Sequence, residues 1–336
     1  ALCTLVTAPP AGDGWVGEVK YDGYRLQVAL DAGRARVFSR SGEDVTERFA
    51  PIARAVEDLP AEDALLDGEA VVFDARGVSE FSALQQAIGT HPERISLVAF
   101  DLLHLNGHDL RALPTLTRKG LLQHLLAEED AASPLRFAEH VAGDAGALFE
   151  VACAQGLEGI VAKRADAPYT SARTRSWLKV KCRPRSEFVV GGWTEPRGGR
   201  SGLGALLLGA YDDHGVFVSV GRAGTGFSAH ETAQLLERLT PLEQSATPFS
   251  AAPRTDATVH WARPELVVEV AYADWTTEGV LRQPSFLGIR EDVDPATVRR
   301  EVATPPPETS SQPVDPPEEG AVAGVRISNP NKRLFP

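Results

Sequence analysis

The chain has no methionine, only three cysteines, and no apolar run near the length of a bilayer span. The last absence argues against a membrane helix, which needs about 20 consecutive apolar residues, and no charged-then-apolar leader precedes a small-residue cleavage site. A soluble, cytoplasmic protein with no membrane partner is expected. Cys3, Cys153 and Cys182 are odd in number, far apart and form no C-x-x-C pair. Neither a disulfide framework nor a zinc site is therefore expected, as suits a reducing compartment. With Ala1 at its start and no methionine anywhere, the chain reads as a piece excised from something longer. Gly198, Gly199, Gly202 and Gly204 form no G-x-x-x-x-G-K-[ST] loop, which excludes a P-loop nucleotide site.

What is present suits two domains: 336 residues, 43% hydrophobic and 24% charged. A net charge of −12 argues at first against a polyanionic partner, because nucleic-acid affinity comes largely from cations that displace counterions. The distribution removes that objection. Glu301, Glu308, Asp315, Glu318 and Glu319 lie in a stretch without lysine or arginine, whereas Arg173, Arg175, Lys179, Lys181, Arg183 and Arg185 crowd together.

Residues 15–30 and 34–39 flank an Asp31-Ala32-Gly33 turn and predict a β-hairpin. Helices are expected over 45–59, 81–88, 117–129 and 144–155, the last with Asp144 as N-cap and Gly156 as its stop. Strands over 65–73, 95–105, 159–163 and 177–180 complete an α+β domain covering residues 1–184. From Phe188 the texture changes to short strands over 188–193, 205–211, 216–220 and 266–272, interrupted by a helix over 230–239. That rhythm predicts a small all-β barrel of the oligonucleotide-binding (OB) type in residues 185–300. Proline and acid in 301–320 predict an extended linker, and residues 321–336 regain apolar content as if opening another domain.

The chemistry centres on Lys20-Tyr21-Asp22-Gly23-Tyr24-Arg25. An ammonium with a pKa near 10.4 is neutral in only about one molecule in a few thousand at pH 7, so a nucleophilic lysine needs cations or desolvation. Glu18 and Asp22 fall at even spacing from Lys20 and on an extended strand would share its face and hold its proton on. A divalent metal with phosphate ligands on that face would neutralise them. Lys179 and Lys181 alternate with Leu178 and Val180, so both cations point one way. Glu158 and Lys163 have opposite parity and cannot both face one nucleotide without a bulge; Glu158 is taken as the site residue and Lys163 as a surface or DNA contact. Trp177, Trp193 and Trp275 are read as packing residues. His104 and His108 flank an Asn106-Gly107 turn and are not read as a metal pair.

Lys20-x-Asp22-Gly23-x-Arg25, Ser39-Arg40-Ser41-Gly42, Asp67-Gly68-Glu69, Ala99-Phe100-Asp101-Leu102-Leu103, Glu158-Gly159-Ile160-Val161-Ala162-Lys163 and Trp177-Leu178-Lys179-Val180-Lys181 resemble, in order and spacing, the motif series of ATP-dependent DNA ligases. The likeness is nearest to the ligase module of the bacterial end-joining ligase D family. Gly221 to Phe227 and Pro284 to Asp292 continue it, so that it covers residues 1–300. The resemblance implies a nucleotidyltransferase (ATP-grasp-like adenylation) domain followed by an OB-fold. It implies that Lys20 attacks the α-phosphate of ATP, with Mg2+ or Mn2+ as cofactor, to give a lysyl–AMP. AMP then passes to a DNA 5′-phosphate and is displaced by a 3′-hydroxyl. By the same resemblance Glu18 contacts the adenine amino group, Phe100 stacks on the base and Glu69 lies near the ribose. Arg25 and Arg40 contact sugar and phosphate, Lys179 and Lys181 the α-phosphate, and Asp22 and Glu158 belong to the metal, with Arg290 reaching the nucleotide from the barrel. Arg173, Arg175, Arg183 and Arg222 are expected to contact nicked or broken duplex DNA, with closure about a hinge at 183–186. Val325 to Pro336 resembles the start of a primase-like polymerase module, which implies Ku as a partner and a bacterial, nucleoid-associated setting. RNA ligases and capping guanylyltransferases share the lysine motif, and a catalytically silent DNA-end-binding module keeps the same fold.

One departure concerns the last motif, where the family's Arg-x-Asp-Lys is Arg290-Glu291-Asp292-Val293 here. Slower self-adenylation is expected than in relatives that keep the lysine. Val293→Lys should raise the adenylation rate at low ATP; no gain there counts against the idea.

Overall fold

The computed structural model describes residues 1–129, 132–143, 145–196, 202–307, 321–322 and 325–326. It divides into two compact units, Ala1–Cys182 with Ala303–Pro336, and Arg183–Val302.

The first unit is built on two sheets. In the larger, Arg34–Ser39, Tyr24–Asp31, Asp63–Val71, Ser96–Leu105 and His108–Asp109 are neighbours in that order, and Leu135–Phe137 adds to Ser96–Leu105 in parallel. Period-two alternation sends Tyr24, Leu26, Val28 and Leu30 to one face. There they meet Ile52, Ala53 and Val56 of the helix Ala50–Glu57, Phe81 and Leu84 of Phe81–Ala87, and Leu122 and Leu125 of Thr115–Leu125. Each such fully buried leucine, isoleucine or phenylalanine stabilises the fold by about 1.5–3 kcal/mol. The 45–59 helix of the sequence reading is a 3-10 turn, Thr46–Phe49, followed by an α-helix from Ala50 with Pro51 in its first turn. Proline is tolerated there because its missing N–H has no helical partner in any case.

The second sheet orders Leu2–Leu5, Arg173–Lys181, Gly159–Arg164, Trp15–Val19 and His140–Ala142. Its inner face, with Trp15, Ile160, Ala162, Leu178 and Val180, packs on Ala145, Leu148 and Ala152 of the helix Ala145–Ala154. Gly156, at φ +78°, follows that helix as expected; the Asp144 cap lies outside the described residues.

The second unit is an antiparallel OB-type barrel around the long strand Arg185–Thr194, which pairs with Ala205–Tyr211 on one side. On the other side its first half pairs with Val267–Ala271 and its end with Val259–Ala262. Phe217–Ala223 and Ser285–Ile289 extend the two flanks. The helix Ala229–Leu239 starts with a capping box between Ser228 and Glu231 and buries Leu235 and Leu239. Val293 is buried in this core. A lysine there would place an ammonium among apolar side chains, so Val293→Lys is a stability lesion. The rate gain expected from sequence therefore cannot be read from that substitution.

Two other expectations are corrected. Cys153 and Cys182 form a disulfide with Cα atoms 5.3 Å apart, which tertiary proximity allows and sequence spacing concealed. Part of the predicted linker docks on the first unit: Thr304 bridges Val6, and the Pro305 carbonyl accepts from Arg175. Residues 308–320 and most of 321–336 lie outside the described residues, including Glu308, Asp315, Glu318 and Glu319 of the linker and most of the polymerase-like start.

Closing a loop of 29 residues removes unfolded-state entropy equivalent to about 3–4 kcal/mol. Reductant, or the double change Cys153→Ser and Cys182→Ser, should lower the urea midpoint accordingly. An unchanged midpoint in reductant would show that the bond contributes nothing to stability. In the barrel, protonated His260 donates from Nδ1 to Glu243 at 2.7 Å and from Nε2 to Glu195 at 3.3 Å and stacks on Trp193. The hydrogen bond to Glu243, then that to Glu195, raises its pKa against a small desolvation effect. Its contribution to stability is therefore fully present below about pH 6.5 and lost as pH rises through the raised value. His260→Gln should flatten that segment of the stability–pH curve.

Candidate active site

The apolar face of the five-stranded sheet takes every second residue, which leaves Val16 and Glu18, then Gly159, Val161 and Lys163, then Trp177, Lys179 and Lys181 on the other face. Register sorts them into rows across the strands. Trp177, Lys163 and Val16 form one; Lys179, Val161, Glu18 and His140 the next. In the third, Lys181 is opposite Gly159, whose carbonyl accepts from the Lys20 amide at 2.9 Å.

Gly159 makes the third row possible. Its φ is +151°, and a Cβ would sit 2.0 Å from the Val180 carbonyl oxygen, so a side chain is excluded. The unusual backbone there turns the preceding Glu158 onto the same face as the lysines, despite its wrong parity. Glu158 is buried, with Oε2 2.6 Å from Lys20 Nζ and Oε1 3.4 Å from Lys181 Nζ. The strand ends at Val19, so alternation does not carry through Lys20 to Asp22, and Glu158, which the alternation argument did not place there, is a carboxylate on Lys20. The Asp22 amide, beyond the strand, donates to Ser79 Oγ at 3.0 Å.

Glu18 is only 3% exposed and lies between two fully buried lysines, Lys119 Nζ 2.8 Å from Oε1 and Lys163 Nζ 2.8 Å from Oε2. Burial alone would raise its pKa; the charges and hydrogen bonds of Lys163 and Lys119 overcome this and hold it below the usual range. Lys163 is therefore not the surface or DNA contact expected. Its ammonium also donates to the Phe100 carbonyl at 3.1 Å and stands 4.6 Å from the Phe100 ring and 4.1 Å from the Trp177 ring.

The six-stranded sheet supplies the facing wall. Asp67 pairs with Asp101 and Gly68 with Ala99, so the register slips and Phe100 has no opposite partner. Plain alternation sets Phe100 on the face of Val98, opposite Leu97 and Ala99, where it stands edge-on to Trp177 at 5.9 Å; the bulge shifts the phase beyond it, so that Leu102 returns to the core. Arg25 approaches the same ring to 5.5 Å and grips fully buried Asp67 with both forks, at 3.0 and 2.7 Å. Tyr169 donates to Asp67 at 2.9 Å. Glu69, half-buried, is opposite Arg25 in register.

The structure thus brings together Lys20, Glu158, Lys179 and Lys181 in one group, and Glu18, Phe100, Arg25 and Glu69 beside it. Arg40 is exposed in the turn after Ser39. Arg173 donates to the Cys3 carbonyl and Arg175 to that of Pro305; both, like Arg183, are exposed. Arg222, exposed, donates to Thr255 in the second unit. Arg290 is buried there with Asp292 at 2.8 Å and Glu269 at 3.2 Å. Lys119, Asp67 and Tyr169 were not assigned from sequence. A signal for Lys119 existed: it and Arg118 stand three and four residues before Leu122, on the apolar side of the predicted helix. A cavity of about 620 Å³ lined by Gln27, Leu65, His104 and Tyr169 lies elsewhere along the larger sheet and includes none of Lys20, Glu158 or Phe100.

Among the described residues no three or more His, Cys, Asp or Glu side chains could hold a metal ion by themselves. A buried carboxylate between two ammoniums suits a cation only when phosphate oxygens complete its shell, which is the usual manner for magnesium.

Residues 8–181 match the profile of the ATP dependent DNA ligase domain, and residues 199–293 that of the ATP dependent DNA ligase C terminal region. The chain is 40% identical over its whole length to the multifunctional non-homologous end joining protein LigD of Pseudomonas aeruginosa, of which it covers 40%. It is 42% identical, over 85% of its length, to the corresponding repair protein LigD of Mycobacterium tuberculosis, of which it covers 37%. A solved structure titled mycobacterial DNA ligase D complexed with ATP and MES superposes with a TM-score of 0.63 at 38% identity, covering 89% of this chain and 98% of that one.

Proposed function

The chain belongs to the ATP-dependent DNA ligase family, and on that premise we propose that Lys20 is the residue that becomes covalently adenylated. The observation that carries this is the position of Lys20 Nζ against buried Glu158, with Lys181 on the other carboxylate oxygen. In the first step Lys20 Nζ forms a bond to the α-phosphorus of ATP while the bond to pyrophosphate breaks, giving a phosphoramidate and releasing the lysine proton. Lys20 must be neutral to attack, and Glu158 at 2.6 Å favours its charged form. Weakening that ion pair lowers the ammonium's pKa, because Lys181 remains beside it as a like charge. Lys179 and Lys181 neutralise the α-phosphate as charge builds in the transition state. Mg2+ or Mn2+ arriving with the phosphates would be held by Glu158 and Asp22 and would polarise the α-phosphate. Phe100 stacks on adenine, Glu18 accepts from its 6-amino group, and Arg25, Arg40 and Glu69 hold sugar and phosphate.

Nicked or broken duplex DNA is the second substrate, gripped through Arg173, Arg175, Arg183 and Arg222, and Arg290 contributes from the barrel. AMP passes to the DNA 5′-phosphate, and the 3′-hydroxyl then displaces it to seal the strand. Relatives named for non-homologous end joining support the same role here, with Ku and a polymerase module as partners in a bacterial cytoplasm. The chain spans 40% or less of those two relatives, so this wider role is an extension from them.

Incubation with α-labelled ATP or GTP followed by a denaturing gel tests the proposal. Label should stay on the wild-type chain from ATP far more than from GTP, and Lys20→Ala should abolish it, a loss of at least about 10³-fold as for removal of a nucleophile. Label from GTP alone would indicate guanylyl chemistry. No label with either metal would leave a DNA-end-binding module.

A further inference from the structure

Glu18 is fastened from two sides, and the two fastenings differ. Lys163 comes from the neighbouring strand, donates to Oε2 and also ties down the Phe100 carbonyl. Lys119 comes from the helix Thr115–Leu125, which packs on the six-stranded sheet, and contacts Oε1 at 2.8 Å. Each carboxylate oxygen thus has one ammonium 2.8 Å away, Lys119 on Oε1 and Lys163 on Oε2. A carboxylate oxygen has two lone pairs, so Oε1 keeps acceptor capacity beyond Lys119. Lys119 is itself immobile. It is fully buried, donates to the Ala138 carbonyl at 2.8 Å and stands 4.5 Å from the Phe137 ring.

We infer that Lys119 is a positioning residue that sets base selectivity by fixing where Glu18 Oε1 points. This rests on the reading of Glu18 as the acceptor for the adenine 6-amino group. Guanine carries a 6-oxo group there, an acceptor facing an acceptor, so a rigid Oε1 rejects it and a mobile one rejects it less. Two ammoniums on opposite oxygens hold the carboxylate plane; with Lys163 alone, the group can rotate to give both oxygens to that one cation. Lys119 touches neither the phosphates nor Lys20, so the chemical step should not need it.

The test measures kcat/KM for lysyl-nucleotide formation from labelled ATP and GTP in wild type, Lys119→Met, Glu18→Gln and the double variant, with melting temperature followed throughout. Lys119→Met leaves Glu18 paired with Lys163, so its charge stays compensated. The ATP-to-GTP preference should fall about tenfold in Lys119→Met, mainly through KM for ATP, with kcat at saturating ATP within about twofold. In the Glu18→Gln background the same change should have no further effect on preference, since Lys119 acts through Glu18. A lower melting temperature with unchanged preference, while Glu18→Gln does change it, overturns the inference and leaves the adenine reading intact. Unchanged preference in Glu18→Gln overturns both. Should Lys119→Met fail to fold, Lys119→Arg keeps the charge but displaces its centre. A preference shift of threefold or more supports the inference in that variant, and none overturns it.

Discussion

Buried carboxylates need partners, and the first unit is organised by that requirement. Glu18, Asp67, Asp101 and Glu158 are all at most a few per cent exposed, and each is answered by a lysine or arginine from a different element. Removing one partner from such a pair costs about 3–5 kcal/mol because the remaining charge is stranded. The Asp67–Arg25 pair lies within the six-stranded sheet and Glu18–Lys163 within the five-stranded one, while the apolar faces of the two sheets pack separately on their own helices. That division leaves a polar slot crossed by hydrogen bonds. Lys163 joins Glu18 of one sheet to Phe100 of the other, and Tyr169, from the loop after the strand Gly159–Arg164, reaches Asp67.

One backbone irregularity shapes that slot. Gly159 brings Glu158 into line with lysines of the opposite parity, where a regular strand would have turned the carboxylate away. Phe100 needs no such device: plain alternation sets it on the face of Val98, opposite Leu97 and Ala99. The bulge beside it shifts the phase so that Leu102 returns to the core.

Strong periodicity made much of the fold legible. The strands at 95–105 and 205–211 and the helix at 230–239 follow from alternation or helical spacing, whereas the expected strand over 15–30 is two, Trp15–Val19 and Tyr24–Asp31 in different sheets, and only the second pairs with Arg34–Ser39. The short strands Leu2–Leu5, Leu135–Phe137 and His140–Ala142 carry too few residues to show a period, and their pairing is set by distant partners. Lys163 was misread because parity was applied to Glu158 and Lys163 as if the strand began before Gly159. The Cys153–Cys182 bond was misread because spacing of 29 residues says nothing about distance in the folded chain.

By itself the sequence determined the family, because six motifs in order and spacing mark the ATP-dependent DNA ligase domains whose profiles residues 8–181 and 199–293 match. Only the tertiary structure decided which acid faces which cation. Pairing of charges depends on approach between strands and helices far apart in the chain, where Lys119 and Glu18 are separated by a hundred residues yet lie 2.8 Å apart. Coulomb energy in a dry interior varies with such distances and with burial, and neither quantity is local to the sequence.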